Sequence, residues 1–416
     1  MGSKNKLRAW CLLRDQFAHV NPVEVFLGDC AEFIYDSTWE PRRMLGASPD
    51  LVLCVNDVHY GVARCLDAAR TAGIPSLVLQ DGILEWRCQY ENPRLGAGGG
   101  APQHQPVLAD KIACIGPSSA RHIASWGNTA KVEVTGMPRL DYLLRREGPP
   151  NRRPGCRLLV MTAKKPGFTQ SQTRLTLRSL SDLKEYFRSH AEIEVVWRLT
   201  KDLSSQLGVE NRLKSLAGSE LADLLAQVDA VITTPSTAML EGMIVDRPVA
   251  CLDYHNAPRF VPTAWTISAP PHIGSVVEEM LAPPSAKMAF QRECLQDCLS
   301  CGSPASPRVA ELIVGMAAAA QAATRQGRRP HLPAGMLALT HPTSGECLAP
   351  LADVYPGSKV FQDNDIQSLQ ARLARAENEN LRLAGQQSQR GIGYWIQLAG
   401  RETARRLKTR QLGAGQ

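Results

Sequence analysis

The run from Ala230 to Tyr254, AVITTPSTAMLEGMIVDRPVACLDY, can close on itself in essentially one way. It begins with a short apolar segment, Ala230 to Ile232, of the kind that forms a strand buried on both faces. Thr233, Thr234, Pro235, Ser236 and Thr237 follow, a cluster that ends the strand and supplies several N-cap side chains. Helical spacing then runs through Met239, Leu240 and Met243 until Arg247-Pro248 breaks it, and a second apolar run, Val249 to Leu252, succeeds it. Two short apolar strands joined through one helix make a βαβ unit, whose strands are parallel. Small hydroxyls and unpaired backbone N–H groups at the start of that helix suit an anion. Glu241, further along the helix, lies within reach of a sugar hydroxyl. A capped helix with no ligand has the same pattern, so the unit fixes topology more firmly than chemistry.

The same alternation recurs upstream. Asp50 to Val55 reads as a strand, Tyr60 to Ala72 as a helix ended by Gly73, and Ser76 to Leu79 as the next strand. Lys111 to Ile115 and Lys131 to Val134 are further strands, and Ser118 is expected to cap a helix carrying Ile123 and Trp126. Repeated βα units imply a parallel, doubly wound sheet, with ligands off the carboxyl ends of its strands. Asp81, Gly82 and Gly136 all stand just past expected strand ends. Residues 146–156 have the Pro, Gly and Arg content of a linker, and a second series begins at Arg157. It comprises a strand at 158–162, a loop with Lys164 and Lys165, a helix at 175–189, a strand at 194–198, and helices at 221–227, from Val276, and at 309–323. The expected class is α/β, with Rossmann-like domains at 1–148 and 149–324 facing across a cleft.

The remainder differs. Residues 325–362 are Pro-, Gly- and Thr-rich and read as a linker. In 363–416, Ile366, Leu369, Leu373, Ala376, Asn380 and Leu383 alternate spacings of three and four, a short heptad seam that a pair of chains could share. A single exposed amphipathic helix would show the same seam. From Arg390 onward there are six bases and one acid, Glu402, so this tail carries +5 of the net +7. With Trp395, Ile396, Leu398 and Leu407 among the bases it suits an anionic membrane surface, or simply water. The body is near neutral and does not read as a nucleic-acid binder. No run of apolar residues is long enough to span a bilayer, and no leader is evident, so the expected place is the cytoplasm, at most peripheral to the membrane. The 12 Cys are scattered, several within apolar runs, and read as reduced core residues. Cys294, Cys298 and Cys301 lack a fourth ligand nearby, so no metal is expected.

Two segments carry a family likeness. Val134-Thr135-Gly136-Met137-Pro138-Arg139-Leu140-Asp141 is similar to the V-T-G-N-P-R-x-D segment that closes the N-terminal domain of many bacterial glycosyltransferases of the GT-B fold. Thr234-Pro235-Ser236-Thr237-Ala238-Met239-Leu240-Glu241 is similar to their donor-binding Ser-Ser/Thr-x-x-x-Glu turn and helix. The likeness spans about residues 20–320. Within it, Gln80-Asp81-Gly82-Ile83-Leu84-Glu85-Trp86 resembles the acidic/amide-Asp-Gly motif of retaining β-Kdo transferases of capsule and O-antigen assembly, which use CMP-Kdo. An Asp-Gly pair is also a common turn.

That resemblance implies Asp81 as the catalytic carboxylate, with Glu85 or His59 as acid/base, since retention by double displacement needs both. It implies Gln80, Gly82, Gly136 and Arg139 as substrate-binding, and Ser236, Thr237 and Glu241 at the nucleotide. Many relatives carry Arg-x-His-Pro after the second strand of the second domain, where this chain reads Trp197-Arg198-Leu199-Thr200-Lys201. Arg198, Lys201 and Lys164 are the bases available for a donor phosphate, or are solvated loop charges. The expectation is a glycosyltransferase that takes a nucleotide-sugar as substrate, with no further cofactor, and a glycan or glycolipid as acceptor. The heptads allow a homo-oligomer. A UDP-sugar 2-epimerase or UDP-sugar transferase of the same fold, and a non-catalytic coiled-coil scaffold, are the alternatives. A glycerophosphate transferase of the teichoic-acid type would be expected to have a His at Asp81-Gly82.

Overall fold

The computed structural model describes residues 6–13, 19–93, 102–144, 156–165, 167–210 and 219–338, the side chains of 201, 219 and 220 excepted. Six strands form the first sheet: β1 Leu7–Cys11, β2 Ala31–Tyr35, β3 Leu51–Cys54, β4 Ser76–Leu79, β5 Lys111–Cys114 and β6 Val132–Val134. They lie in the order β2-β1-β3-β4-β5-β6, all parallel. Five more form the second: β7 Cys156–Met161, β8 Ile193–Arg198, β9 Ala230–Thr233, β10 Val249–Leu252 and β11 Trp265–Ile267, in the order β11-β10-β9-β7-β8 and again all parallel. The helices of the first lobe are α1 Asn21–Leu27, α2 Pro41–Gly46, α3 Tyr60–Ala72, α4 Trp86–Tyr90, α5 Pro117–Ile123 and α6 Asp141–Leu144. Those that follow are α7 Gln170–Ser189, α8 Lys201–Leu207, α9 Ser219–Gln227, α10 Ala238–Ile244, α11 His272–Leu281, α12 Ser285–Cys298 and α13 Ala305–Arg325.

Local chemistry sets the element ends. Gly73 closes α3 in the left-handed region at φ 73°. Thr169 and Gln172 form a capping box on α7, each side chain bonded to the other's backbone N–H. The central strands β3, β4, β9 and β10 are buried along their whole length, because helices cover both faces. One face of the first sheet packs on α3 and α5 through Val62, Leu66, Ala69 and Ile123. The other face meets α1 and α13 through Val23, Val309, Ile313 and Met316.

All the described residues belong to one compact unit, and a third apolar core joins the two lobes. In it Met137, Leu140 and Leu143, just beyond the first sheet, pack with Leu225, Leu240 and Met243 of the second lobe. The crossing is made twice. α12 lies against α5, and α13 then returns to the first sheet beside α1. The boundary at 324 expected from the sequence therefore assigns α13 to the wrong lobe in space. A long Ala-rich helix carries no mark of which sheet its apolar face will meet. Its N-terminus is tied to the first lobe by Asp141, which is 2% exposed and accepts from Ala305 N at 2.7 Å, Ser306 N at 2.9 Å and Ser306 Oγ at 2.5 Å.

The described chain beyond α13 stays on the first lobe. Glu133 pairs with the buried Lys111 at 2.7 Å and also accepts from Met336 N and Leu337 N, so residues up to 337 are held against the first sheet. Ser118 is not a cap: Gly116 holds the N-cap of α5 and Ser118 lies buried within the first turn. That helix ends before Trp126, where Trp126 and Gly127 leave helical geometry. The heptad seam, the coiled coil and the basic tail of 363–416, with most of the 325–362 linker, lie outside the described residues. Among the described residues no helix is long and apolar enough to cross a membrane.

Candidate functional site

In each sheet the strand order reverses once. The reversal lies between β1 and β3 in the first and between β7 and β9 in the second. Loops leaving the carboxyl ends on either side of a reversal diverge, which opens a crevice there. The loop after β1 brings His19 forward, and the loop after β4 brings Asp81. His19 Nε2 lies 2.8 Å from Asp81 Oδ1. The pair is asymmetric: the His19 side chain is 4% exposed and that of Asp81 is 59% exposed.

Burial holds the His19 imidazole below its ordinary value of 6.5 despite the neighbouring carboxylate. Partial desolvation pushes Asp81 up, but the His19 hydrogen bond and the charges of Arg139 and Lys164 outweigh it, and the carboxyl is held below 3.8. At neutral pH the arrangement is thus a neutral imidazole donating to an ionised carboxylate, with Asp81 as the member that meets solvent. His19 is not among the residues that the sequence pattern singles out; the strand it follows, Leu7–Cys11, is β1.

The facing wall comes from the second lobe. Lys164, on the loop after β7, is exposed and close enough to act on Asp81 and His19. That loop is fixed to the turn after β9 by Ala163 N donating to Thr234 Oγ1 at 2.9 Å. Within the turn, Thr233 Oγ1 and Ser236 Oγ lie 3.2 Å apart. Thr237 precedes α10 without capping it through its side chain. Arg198 ends β8; one Nη sits 3.6 Å from Met161 Sδ and its Nε is buried without a hydrogen-bond partner. The Lys201 side chain lies outside the described residues. Glu241, buried in α10, is met by Arg139 of the first lobe, Nη1 to Oε1 at 3.1 Å. Two residues expected at substrate are therefore bound to each other.

Gly82 has a reason to be glycine that concerns both lobes. A Cβ there would stand 2.7 Å from Thr237 Oγ1, so the Asp81-Gly82 turn lies directly against the turn before α10. Nearby, Glu91 of the first lobe meets His255 Nε2 at 2.6 Å and Gln172 Nε2 at 2.8 Å, both from the second. Glu91 and His255 were not among the residues selected from the sequence.

Other expected site residues are occupied by the fold. The Gln80 amide donates to Gly82 O at 2.7 Å and Ser119 Oγ at 3.1 Å and accepts from Ile115 N at 3.1 Å. It is a buried strut between the ends of β4 and β5. Gly136 is at φ 86°, and a Cβ would lie 2.6 Å from Ser300 O; it faces the returning chain, not the cleft. Glu85 caps α4 by accepting from Cys88 N at 2.8 Å and pairs with Arg87 at 2.6 Å, so both its oxygens are engaged. His59 precedes α3 with its ring 4.3 Å from that of Trp39, and no contact joins it to Asp81. A hydrogen-bonded side chain at a strand end looks the same in sequence as one that waits for a ligand. Among the described residues no group of three His, Cys, Asp or Glu side chains is placed to hold a metal ion.

No family model matches the sequence, and no curated protein matches it. Solved structures do resemble the fold. MnaA of S. aureus, solved with UDP, aligns with a TM-score of 0.53 at 13% identity, over 74% of this chain and 96% of its own. A candidate UDP-N-acetylglucosamine 2-epimerase from Listeria monocytogenes aligns with a TM-score of 0.53 at 12% identity, over 74% and 96%. At such identity the likeness is one of fold: two parallel-sheet α/β domains in the GT-B arrangement.

Proposed function

We propose that this chain is a nucleotide-sugar enzyme, and within that class a glycosyltransferase in which Asp81 is the catalytic carboxylate. The observation that carries the reading is the His19–Asp81 pair at 2.8 Å, with the imidazole buried and the carboxylate open to the cleft. A carboxylate held below its ordinary pKa is a poor proton donor. It is suited to stabilise or attack an electron-poor anomeric carbon. His19 is the positioning residue: its hydrogen bond fixes one oxygen of Asp81 and leaves the other for substrate.

In this reading Asp81 attacks the anomeric carbon. The C–O bond to the donor phosphate breaks, and its electrons leave with the phosphate. Lys164 and Arg198 take up that charge. The acceptor hydroxyl then displaces the Asp81 carboxylate, which recovers the electrons of its C–O bond; the hydroxyl proton passes to water, and the two inversions give retention. Ser236 and Thr237 sit at the nucleotide. The favoured donor is CMP-Kdo, by the resemblance of Gln80 to Trp86, and the favoured acceptor a glycan or glycolipid of surface-polysaccharide assembly. Peripheral membrane contact and self-association through the C-terminal segment belong to the same proposal.

The test is nucleotide release from CMP-Kdo and from UDP-N-acetylglucosamine, with and without glycan acceptors, for the wild type and Asp81→Asn. Loss of a covalent nucleophile is expected to lower turnover at least about a thousandfold while nucleotide binding persists. An Asp81→Asn protein that turns over like the wild type refutes the role. Interconversion of a UDP-sugar without transfer would assign the chain to epimerisation instead.

A further inference from the structure

Resting on that reading, we infer that Arg139 serves as an internal ligand for Glu241 when the cleft is empty, and that binding of the nucleotide-sugar exchanges the pair. Donor hydroxyls take Glu241, and the freed guanidinium takes the donor phosphate.

Glu241 sits in α10 beside Met239, Leu240 and Met243, all within the apolar core, and is 5% exposed. A carboxylate so placed needs a partner, because an uncompensated buried charge is costly. Arg139 supplies it from the other lobe, but with one nitrogen only. Its Nη1 reaches Glu241 Oε1 at 3.1 Å, while its Nε is buried and has no hydrogen-bond partner. A guanidinium fully committed to a structural ion pair uses its planar fork; this one does not. The Arg198 Nε is in the same condition.

Both guanidiniums and Glu241 act on the phenol of Tyr142, which burial and Glu241 raise to about 12 and the two arginines oppose. One cation from each lobe and the Glu241 carboxylate therefore lie within electrostatic reach of one phenol, and each guanidinium has donor capacity left over. Arg139 also acts on Asp81, so an anion it held would lie within electrostatic reach of that carboxylate. The exchange keeps every buried charged group hydrogen-bonded. Before binding, Arg139 neutralises Glu241. Afterwards, donor hydroxyls hydrogen-bond Glu241 and the phosphate neutralises Arg139. Neither step leaves a charged group without a hydrogen-bond partner, which lowers the cost of opening such a bridge.

The test is calorimetric titration of wild type, Arg139→Ala, Arg139→Lys and Glu241→Gln with cytidine, CMP, uridine and UDP, after a melting curve has shown each variant folded. For Arg139→Ala, phosphorylated ligands are expected to bind roughly tenfold more weakly, and the unphosphorylated nucleosides at least as tightly as to the wild type, since Glu241 is then free. Arg139→Lys should fall between for the phosphorylated ligands. Glu241→Gln should weaken nucleosides and nucleotides alike. If Arg139→Ala weakens nucleoside and nucleotide by the same factor, or changes neither, Arg139 is only a tie between the lobes and the exchange is wrong. If the wild type binds none of the four, the nucleotide-sugar reading fails, and the exchange falls with it.

Discussion

Replacing Asp141 separates the structural from the chemical content of the Val134 to Asp141 segment. Its carboxylate accepts three hydrogen bonds, from Ala305 N, Ser306 N and Ser306 Oγ, at the N-terminus of a 21-residue helix. Hydrogen bonds to a charged group contribute about 1.5–3 kcal/mol each, and a negative charge on a partly buried helix N-terminus adds up to about 2 kcal/mol. These terms do not add, because the Ser306 hydroxyl can turn to another acceptor and water can reach an opened helix end. Breaking a buried network of this kind costs roughly 3–5 kcal/mol, and that is the expected loss for Asp141→Ala. Asp141→Asn keeps one oxygen as acceptor and should cost about half. A change of 3 kcal/mol corresponds to a melting shift of about 4–5 °C for the two lobes unfolding as one unit of roughly 300 residues. The assay is thermal and urea unfolding of both variants, with nucleotide affinity measured below the transition. A melting shift under about 2 °C for Asp141→Ala would refute the reasoning. So would an affinity lost at a temperature where the variant is fully folded, which would move Asp141 into the site.

Gly82→Ala should place its Cβ against Thr237 Oγ1, 2.7 Å away, and so hold the two turns apart. Turnover is expected to fall more than tenfold with little change in melting temperature, and Gly82→Ala/Thr237→Ala should recover most of it; failure of the double variant to recover would show that the contact is not the cause. The acid side of the stability profile should carry a mark of His19. Its folded value lies below 6.5, so the unfolded chain binds the proton more readily, and stability present above pH 6.5 is lost as pH falls toward the folded value. His104 and His122 are shifted the same way, so His19→Gln, which keeps a donor for Asp81, should flatten the fall in melting temperature between pH 7 and 5 without abolishing it. An unchanged profile would mean that His19 does not titrate there.

The fold was legible where burial leaves a periodic trace. β3, β4, β9 and β10 are short apolar runs ended by turn residues, and each is where the pattern puts it. β1 and β2 were not legible. Leu7–Cys11 contains Arg8, and Ala31–Tyr35 contains Glu32, because β2 is an edge strand that leaves those two side chains exposed to pair with each other at 3.0 Å. A mixed segment near the start of a chain reads as a frayed end unless its sheet partners are known. Missing β1 meant missing His19, since the order of the sheet is what brings the loop after β1 toward the loop after β4. The motif segments were legible as motifs but not as roles. Of Gly136, Arg139 and Asp141, only Arg139 points to the other lobe; the other two fit and cap the returning chain.

The division of labour at the centre follows from exposure. Two groups 2.8 Å apart could share a proton with either one facing substrate. If His19 faced the cleft, the pair would be a general base oriented by a carboxylate, and the chemistry would be deprotonation of an acceptor. The structure has the opposite arrangement: the imidazole is behind and the carboxylate in front. Burial keeps His19 neutral, so that it can donate without adding a charge, while the His19 hydrogen bond and the charges of Arg139 and Lys164 keep Asp81 ionised against its own partial desolvation. An ionised carboxylate fixed at one oxygen, with Lys164 on the opposite wall, meets the needs of a centre where positive charge develops on carbon and negative charge on a departing phosphate. On this ground the proposal is group transfer at an anomeric carbon and not proton transfer alone.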